Sequence, residues 1–126
     1  MTTMICFEAA EGSYCLPVHA TRSVRTADGI ITLPEPVPDV TGIVPGSPSL
    51  TVISPLHAKG THILVLEVAD KTFGLLVDKV TGLRRIDADA IRPAPHGQVR
   101  PIIAGTLETD GQLILVADPT ALAERL

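Results

Sequence analysis

The side chains able to do chemistry are few and scattered along this chain. His57 and His62 lie five residues apart, but a Gly- and Pro-bounded loop separates them. No cysteine or carboxylate cluster stands near them, and zinc needs three or four converging ligands. They read as a solvated loop histidine and a histidine at a strand start. Cys6 and Cys15 do not form a C-x-x-C pair and read as two reduced, half-buried thiols packing as small hydrophobes. No G-x-S-x-G, H-E-x-x-H or G-x-x-x-x-G-K-[ST] occurs, so no nucleophile elbow, zincin helix or phosphate loop is encoded. The acids form no general acid/base couple at a readable spacing. Asp78, at the end of an apolar run, reads as a carboxylate held by Arg84, Arg85 or a backbone donor for structural reasons. A lone carboxylate without a base partner makes a poor catalytic site. Arg84-Arg85 reads as a solvated or ion-paired strand end. These residues predict no enzyme, no cofactor and no metal.

Composition narrows the classes further. A formal net charge of −4, with no long run of like charge, argues against a nucleic-acid surface, which needs a basic face. Aromatic residues make up 2% of the chain, too few for a base-stacking platform or an aromatic-lined peptide groove. Apolar residues at 45% and a mean hydropathy of +0.34 indicate an aliphatic core. The chain has no secretory-type start. Its longest charge-free stretch, Val40 to Ala58, is broken by Gly42, Pro45, Gly46, Pro48 and Pro55. No membrane insertion is expected there, and the expected location is cytoplasmic. The length suits one domain, residues 1–126.

The elements that position these residues are short and punctuated by Gly and Pro. His62 to Val80 predicts the core hairpin, with Asp70-Lys71 at its turn. Its second arm, Phe73 to Val77, is apolar on both faces and so must be covered on both. Asp110-Gly111 marks a second hairpin between Gly105-Thr106-Leu107 and Leu113 to Val116. Further strands are expected at Met4–Glu8, Tyr14–Val18, Ile30–Leu33, Val40–Val44, Leu50–Ile53 and Thr81–Ile86. His19 to Arg25 suggests a short helical turn before an extended path. Pro34 to Pro38 suggests loop or polyproline II. Asp87 to Ala90 resembles a helical turn, and His96-Gly97-Gln98 a loop. Gly42, Gly74 and Gly105 suggest bulges or tight barrel corners. A last helix is predicted, with Asp118 as N-cap, Pro119 at N1, and Leu122 and Leu126 as an apolar stripe. Roughly ten strands indicate an all-β sandwich or barrel, and no internal repeat is evident.

The order of short motifs resembles the CheW-like domain of bacterial chemosensory systems. The pieces are Tyr14 to Val18, Ile31 to Pro34, Gly42-Ile43-Val44, Phe73 to Val80, Ile91 to Pro95, Ile103-Ala104-Gly105, and Leu113 to Val116 with Asp118. Together they span nearly the whole chain. The resemblance implies two intertwined five-stranded SH3-like barrels and a short C-terminal helix. It also implies a non-enzymatic adaptor that binds methyl-accepting chemoreceptor tips in a groove between the barrels. Coupling to a CheA-type histidine kinase is then expected end-on through one barrel.

One departure matters. Where the family continues N-L-R-G-x-x-L-P-V-x-D-L, this chain has Ser47 for the arginine, Pro48 for the glycine and Pro55 for the aspartate. Serine cannot replace a forked guanidinium contact. A divergent adaptor with weakened or selective kinase coupling is therefore expected, as in an alternative, Frz-type system. By resemblance and alternation, Val44, Ser47, Leu75 and Val77 are expected near the receptor groove, with Gly42 as a backbone site beside it. A stand-alone small β-barrel binding a small ligand or a peptide is the alternative from another class.

Overall fold

A computed structural model describes residues 1–94 and 102–126. Pro95 of the I-R-P-A-P segment and the expected His96–Gln98 loop lie outside the described residues. Two hairpins anchor the architecture. β1 (Thr2–Ala9) and β2 (Gly12–Pro17) form one, and β7 (His62–Val68) and β8 (Lys71–Val77) form the other. Each turns through two residues, with Ala10, Glu11 and Ala69 at positive φ, the backbone twist that tight hairpins need. β2 ends at Pro17, where a ladder donor is missing.

The other strands are β3 (Thr21–Thr26), β4 (Ile31–Val37), β5 (Val40–Val44), β6 (Leu50–Ile53), β9 (Lys79–Ile86), β10 (Arg92–Pro93), β11 (Ile103–Thr109) and β12 (Gln112–Ala117). They form two sheets in the orders β10-β11-β12-β2-β1-β9 and β3-β7-β8-β6-β5-β4. Each holds six strands rather than the expected five, because the poorly paired edge strands β10 and β4 are included.

The two sheets repeat one another. In each, a three-stranded meander joins a hairpin through a parallel pair, β12 beside β2 and β6 beside β8. The registers agree residue by residue. Gly105 faces Val116, as Gly42 faces Val52, and Arg92 faces Thr106, as Ile31 faces Ile43. A Cβ on Gly42 would fall onto the Ile31 carbonyl oxygen and Ile30 Cγ2. One on Gly105 would meet the Arg92 carbonyl oxygen and Ile91 Cγ2. Both glycines sit at register shifts, as expected for bulges. Gly74 does not. It leaves room for Ile63 Cγ2 instead. The chain is thus two copies of a six-strand unit that exchange their first hairpins, a repeat carried by pattern rather than by identity.

Three apolar clusters follow from this exchange. Met4, Cys15, Leu107, Ile114 and Val116 fill the first barrel. Their structural equivalents Ile63, Val44, Leu50 and Val52 fill the second, together with Val65 and Leu76. The largest cluster lies between the sheets, with Phe7, Leu16, Ile53, Leu64, Leu66, Phe73, Leu75 and Val77. Phe7 stacks on Tyr14 there, with ring centroids 5.7 Å apart. Both faces of β8 are covered, as its sequence requires.

Three expectations are corrected. His19 to Arg25 is not mainly helical: a 3-10 turn covers Val18–Ala20, and β3 then runs through Arg25. The proline stretch continues as strand β4 to Val37, tolerated because an edge strand can lack donors on its open side. The C-terminal helix α1 (Pro119–Ala123) is short, with the Asp118 side chain accepting from the Thr120 N–H. It buries Leu122, whereas Leu126 lies beyond its end and is 44% exposed. The Asp87 turn is present as a 3-10 turn, Ala88–Ala90, capped by the Asp87 side chain.

Candidate protein-interaction surface

The residues expected at the partner groove separate into two groups. Leu75 and Val77 are fully buried and Val44 is 6% exposed. Leu75 and Val77 face the opposite sheet, and Val44 points into the second barrel. Their side chains are part of the core. Alternation along a strand says which residues share a face, and both faces of β8 are apolar and packed. Gly42 is buried as well and serves the β4–β5 approach. Ser47 alone among the five is exposed, on the loop from β5 to β6.

Among the openings of the described surface, two lie at the mouths of the two barrels. The first, about 230 Å³, is lined by Cys6, Tyr14, Gly82, Arg84, Gln112 and Ile114 among others. The second, about 740 Å³, is lined by Arg22, Arg25, Pro48, Leu50, Lys71 and Leu126, with Asp70 and Val65. They occupy equivalent places. β3 packs on β7 as β9 packs on β1, so Arg25 opposite Ile63 matches Arg84 opposite Met4. By the same register, the loop carrying Ser47 matches the Asp110-Gly111 turn.

The chemistry of the two mouths differs. At the first, Arg84 donates to Thr109 Oγ1 at 3.0 Å and pairs with Asp110 at 3.6 Å. At the second, Arg22 pairs with Glu67 across β3 and β7. Arg25 and Lys71 have no ion-pair partner among the described residues. Exposed apolar side chains flank these regions, with Leu83 and Leu113 at the first mouth and Val24 beside the second. Leu83 and Val24 are structural equivalents. The reading of residues 19–25 as helical hid the cations of β3; the spacing of Arg22, Val24 and Arg25 inside an extended run was the available signal.

Two further groups bear on chemistry. Asp78, at the end of β8, is held by backbone donors and not by Arg84 or Arg85. The Ala10 N–H donates to Oδ2 at 2.8 Å, and the Lys59 and Gly60 N–H groups donate to Oδ1 at 2.6 and 3.0 Å. The Thr61 hydroxyl donates to its carbonyl. These bonds, that of Gly60 foremost, hold the Asp78 carboxyl below the usual range and tie the first hairpin's turn to the segment entering β7. Cys6 and Cys15 face each other across β1 and β2. Burial raises both thiols, Cys15 to about 12 with a smaller contribution from Cys6, so both stay protonated and unreactive at neutral pH.

The model of the CheW-like domain matches residues 43–126, two thirds of the chain. The chain belongs to the CheW-like domain family. The fold of this CheW-like chain also matches the crystal structure of the scaffolding protein TtCheW from Thermoanaerobacter tengcongensis. The TM-score is 0.84 at 23% identity, over 93% of this chain and 84% of that one. No curated protein matches by sequence. The family match begins within β5. No described helix is long and apolar enough to cross a membrane.

Proposed function

We propose that this CheW-like chain is a non-enzymatic adaptor of a bacterial chemosensory system, working in the cytoplasm. It binds methyl-accepting chemoreceptor signalling tips and couples them, weakly or selectively, to the regulatory domain of a CheA-type histidine kinase. The carrying observation is the family match over residues 43–126. The open barrel mouth beside Ser47 supports a docking role. Two substitutions support altered coupling. Pro48 lines that mouth and Ser47 precedes it, where the family carries Gly and Arg, and serine cannot supply a forked donor to a partner carboxylate.

The test is a calorimetric titration of the purified protein with a chemoreceptor signalling tip and, separately, with the kinase's CheW-like regulatory domain. Receptor binding with kinase binding at least about tenfold weaker, or about 1.4 kcal/mol, is the expected outcome. Equal binding to both would make the substitutions neutral. Binding to neither would end the adaptor reading.

A further inference from the structure

The two barrel mouths are built on one plan, and only one carries an ion pair between its strand arginine and its facing turn. At the first, the β11–β12 turn supplies Asp110, and the guanidinium of Arg84 reaches across the opening to it and to Thr109. At the second, the equivalent arginine is Arg25, and the equivalent turn is the loop Pro45-Gly46-Ser47-Pro48-Ser49, which contains no acid. Arg25 therefore lacks the carboxylate that its counterpart has. Lys71, the first residue of β8, lines the same opening and is also unpaired among the described residues. Asp70 is the acid lining it, and Glu67 nearby is engaged by Arg22. Below these polar groups lie Leu50 and Val65, with Pro48 and Leu126 forming walls. The opening is about 740 Å³, against about 230 Å³ at the first mouth.

We infer that the second mouth receives a partner-protein segment presenting a carboxylate next to an apolar side chain. The carboxylate takes, opposite Arg25 and Lys71, the place that Asp110 takes opposite Arg84. The apolar side chain covers Leu50 and Val65. The first mouth supplies the template: the same strand geometry, with the acid provided in cis. The template pair is a 3.6 Å exposed ion pair, so the contact is expected to act mainly through charge, and unpaired cations around an apolar floor steer an acidic partner toward it. The edge position of β3 accounts for some charge, since edge strands carry cations against aggregation. It does not account for the missing acid on the facing loop.

This inference rests on the adaptor reading and is tested in the same titration with three variants. Arg25→Ala removes the guanidinium. Ser47→Asp places an acid on the loop equivalent to the Asp110 turn. Asp110→Asn alters only the other mouth. With whichever of the two domains binds, Arg25→Ala and Ser47→Asp are each expected to weaken affinity about three- to tenfold and to flatten its salt dependence. Asp110→Asn should leave it unchanged. Thermal unfolding of each variant separates lost binding from lost fold. Wild-type binding that survives both mouth variants overturns the inference and leaves the adaptor reading intact. Wild-type binding to neither domain overturns both.

Discussion

The two barrels share a plan and differ in how their interiors are filled and how they end. The first is packed with Met4, Cys6 and Cys15 beside its aliphatic residues. The second has Ile63 and Val65 at the places of Met4 and Cys6, and Gly74 at the place of Cys15. Ile63 fills the space that Gly74 leaves, so the local volume is conserved across the swap. What the repeat keeps is geometry: the bulged glycines, the parallel closing pair and the edge strand with one bulge. What it lets vary is polar chemistry at the rims, where Arg84 has an acid opposite it and Arg25 has none among the described residues. The comparison separates residues that the fold demands in duplicate from those that only one copy needs.

The largest effect should come from charging equivalent interior positions. Val44→Asp and Leu107→Asp each place an unpaired carboxylate inside an apolar cluster, where the pair is 6% and 4% exposed. Each should cost about 3–5 kcal/mol, enough to unfold a marginal domain, as read by chemical denaturation. A folded Val44→Asp protein would break the equivalence of the two interiors. Gly42→Ala and Gly105→Ala come next. Each new methyl would press on a β4 or β10 carbonyl, with an expected loss of about 1–3 kcal/mol. Unequal losses would show which copy's edge strand yields more readily.

The smallest effect tests where the repeat fails. Asp78 ends the β7–β8 hairpin, and the corresponding place after β2 is His19, which has no such set of donors. Asp78→Asn should cost about 1 kcal/mol. The carboxyl is depressed when folded. Its contribution is therefore complete above the unfolded value of about 4 and is lost as pH falls through the lower folded value. Urea midpoints measured across this range should converge for wild type and Asp78→Asn as the solution becomes acidic. A constant gap between them would remove the charge from the argument.

Much of the fold was legible because hairpins announce themselves locally. Asp110-Gly111 between apolar arms, and the doubly apolar Phe73–Val77 strand, each specify a pairing without outside help. The repeat was not legible, because Ile31 matches Arg92 and Cys15 matches Gly74, pairs that share a register position and no chemistry. The site was least legible. Resemblance pointed to Val44, Leu75 and Val77 near a groove, yet a strand apolar on both faces gives no sign of which neighbour is solvent. Ser47 was identified by a departure from a family pattern, and it is exposed on the loop from β5 to β6. Arg25 could be recognised only beside Arg84, and that juxtaposition exists in three dimensions alone.

The exchange of hairpins also sets an order of assembly. The strands of the second sheet, β3 to β8, run without interruption from Thr21 to Val77, whereas the first sheet is divided between the two ends of the chain. A chain emerging from the ribosome can complete the contiguous barrel while the rest is still being made. The divided barrel must wait for β12 to reach β2 and form the Tyr14–Leu115 and Cys15–Val116 pairs. That long loop is closed cheaply, because the nested barrel already holds its ends together. The barrel whose rim arginine lacks an acid is thus the one built first, and the divided barrel is the clasp that fastens the molecule.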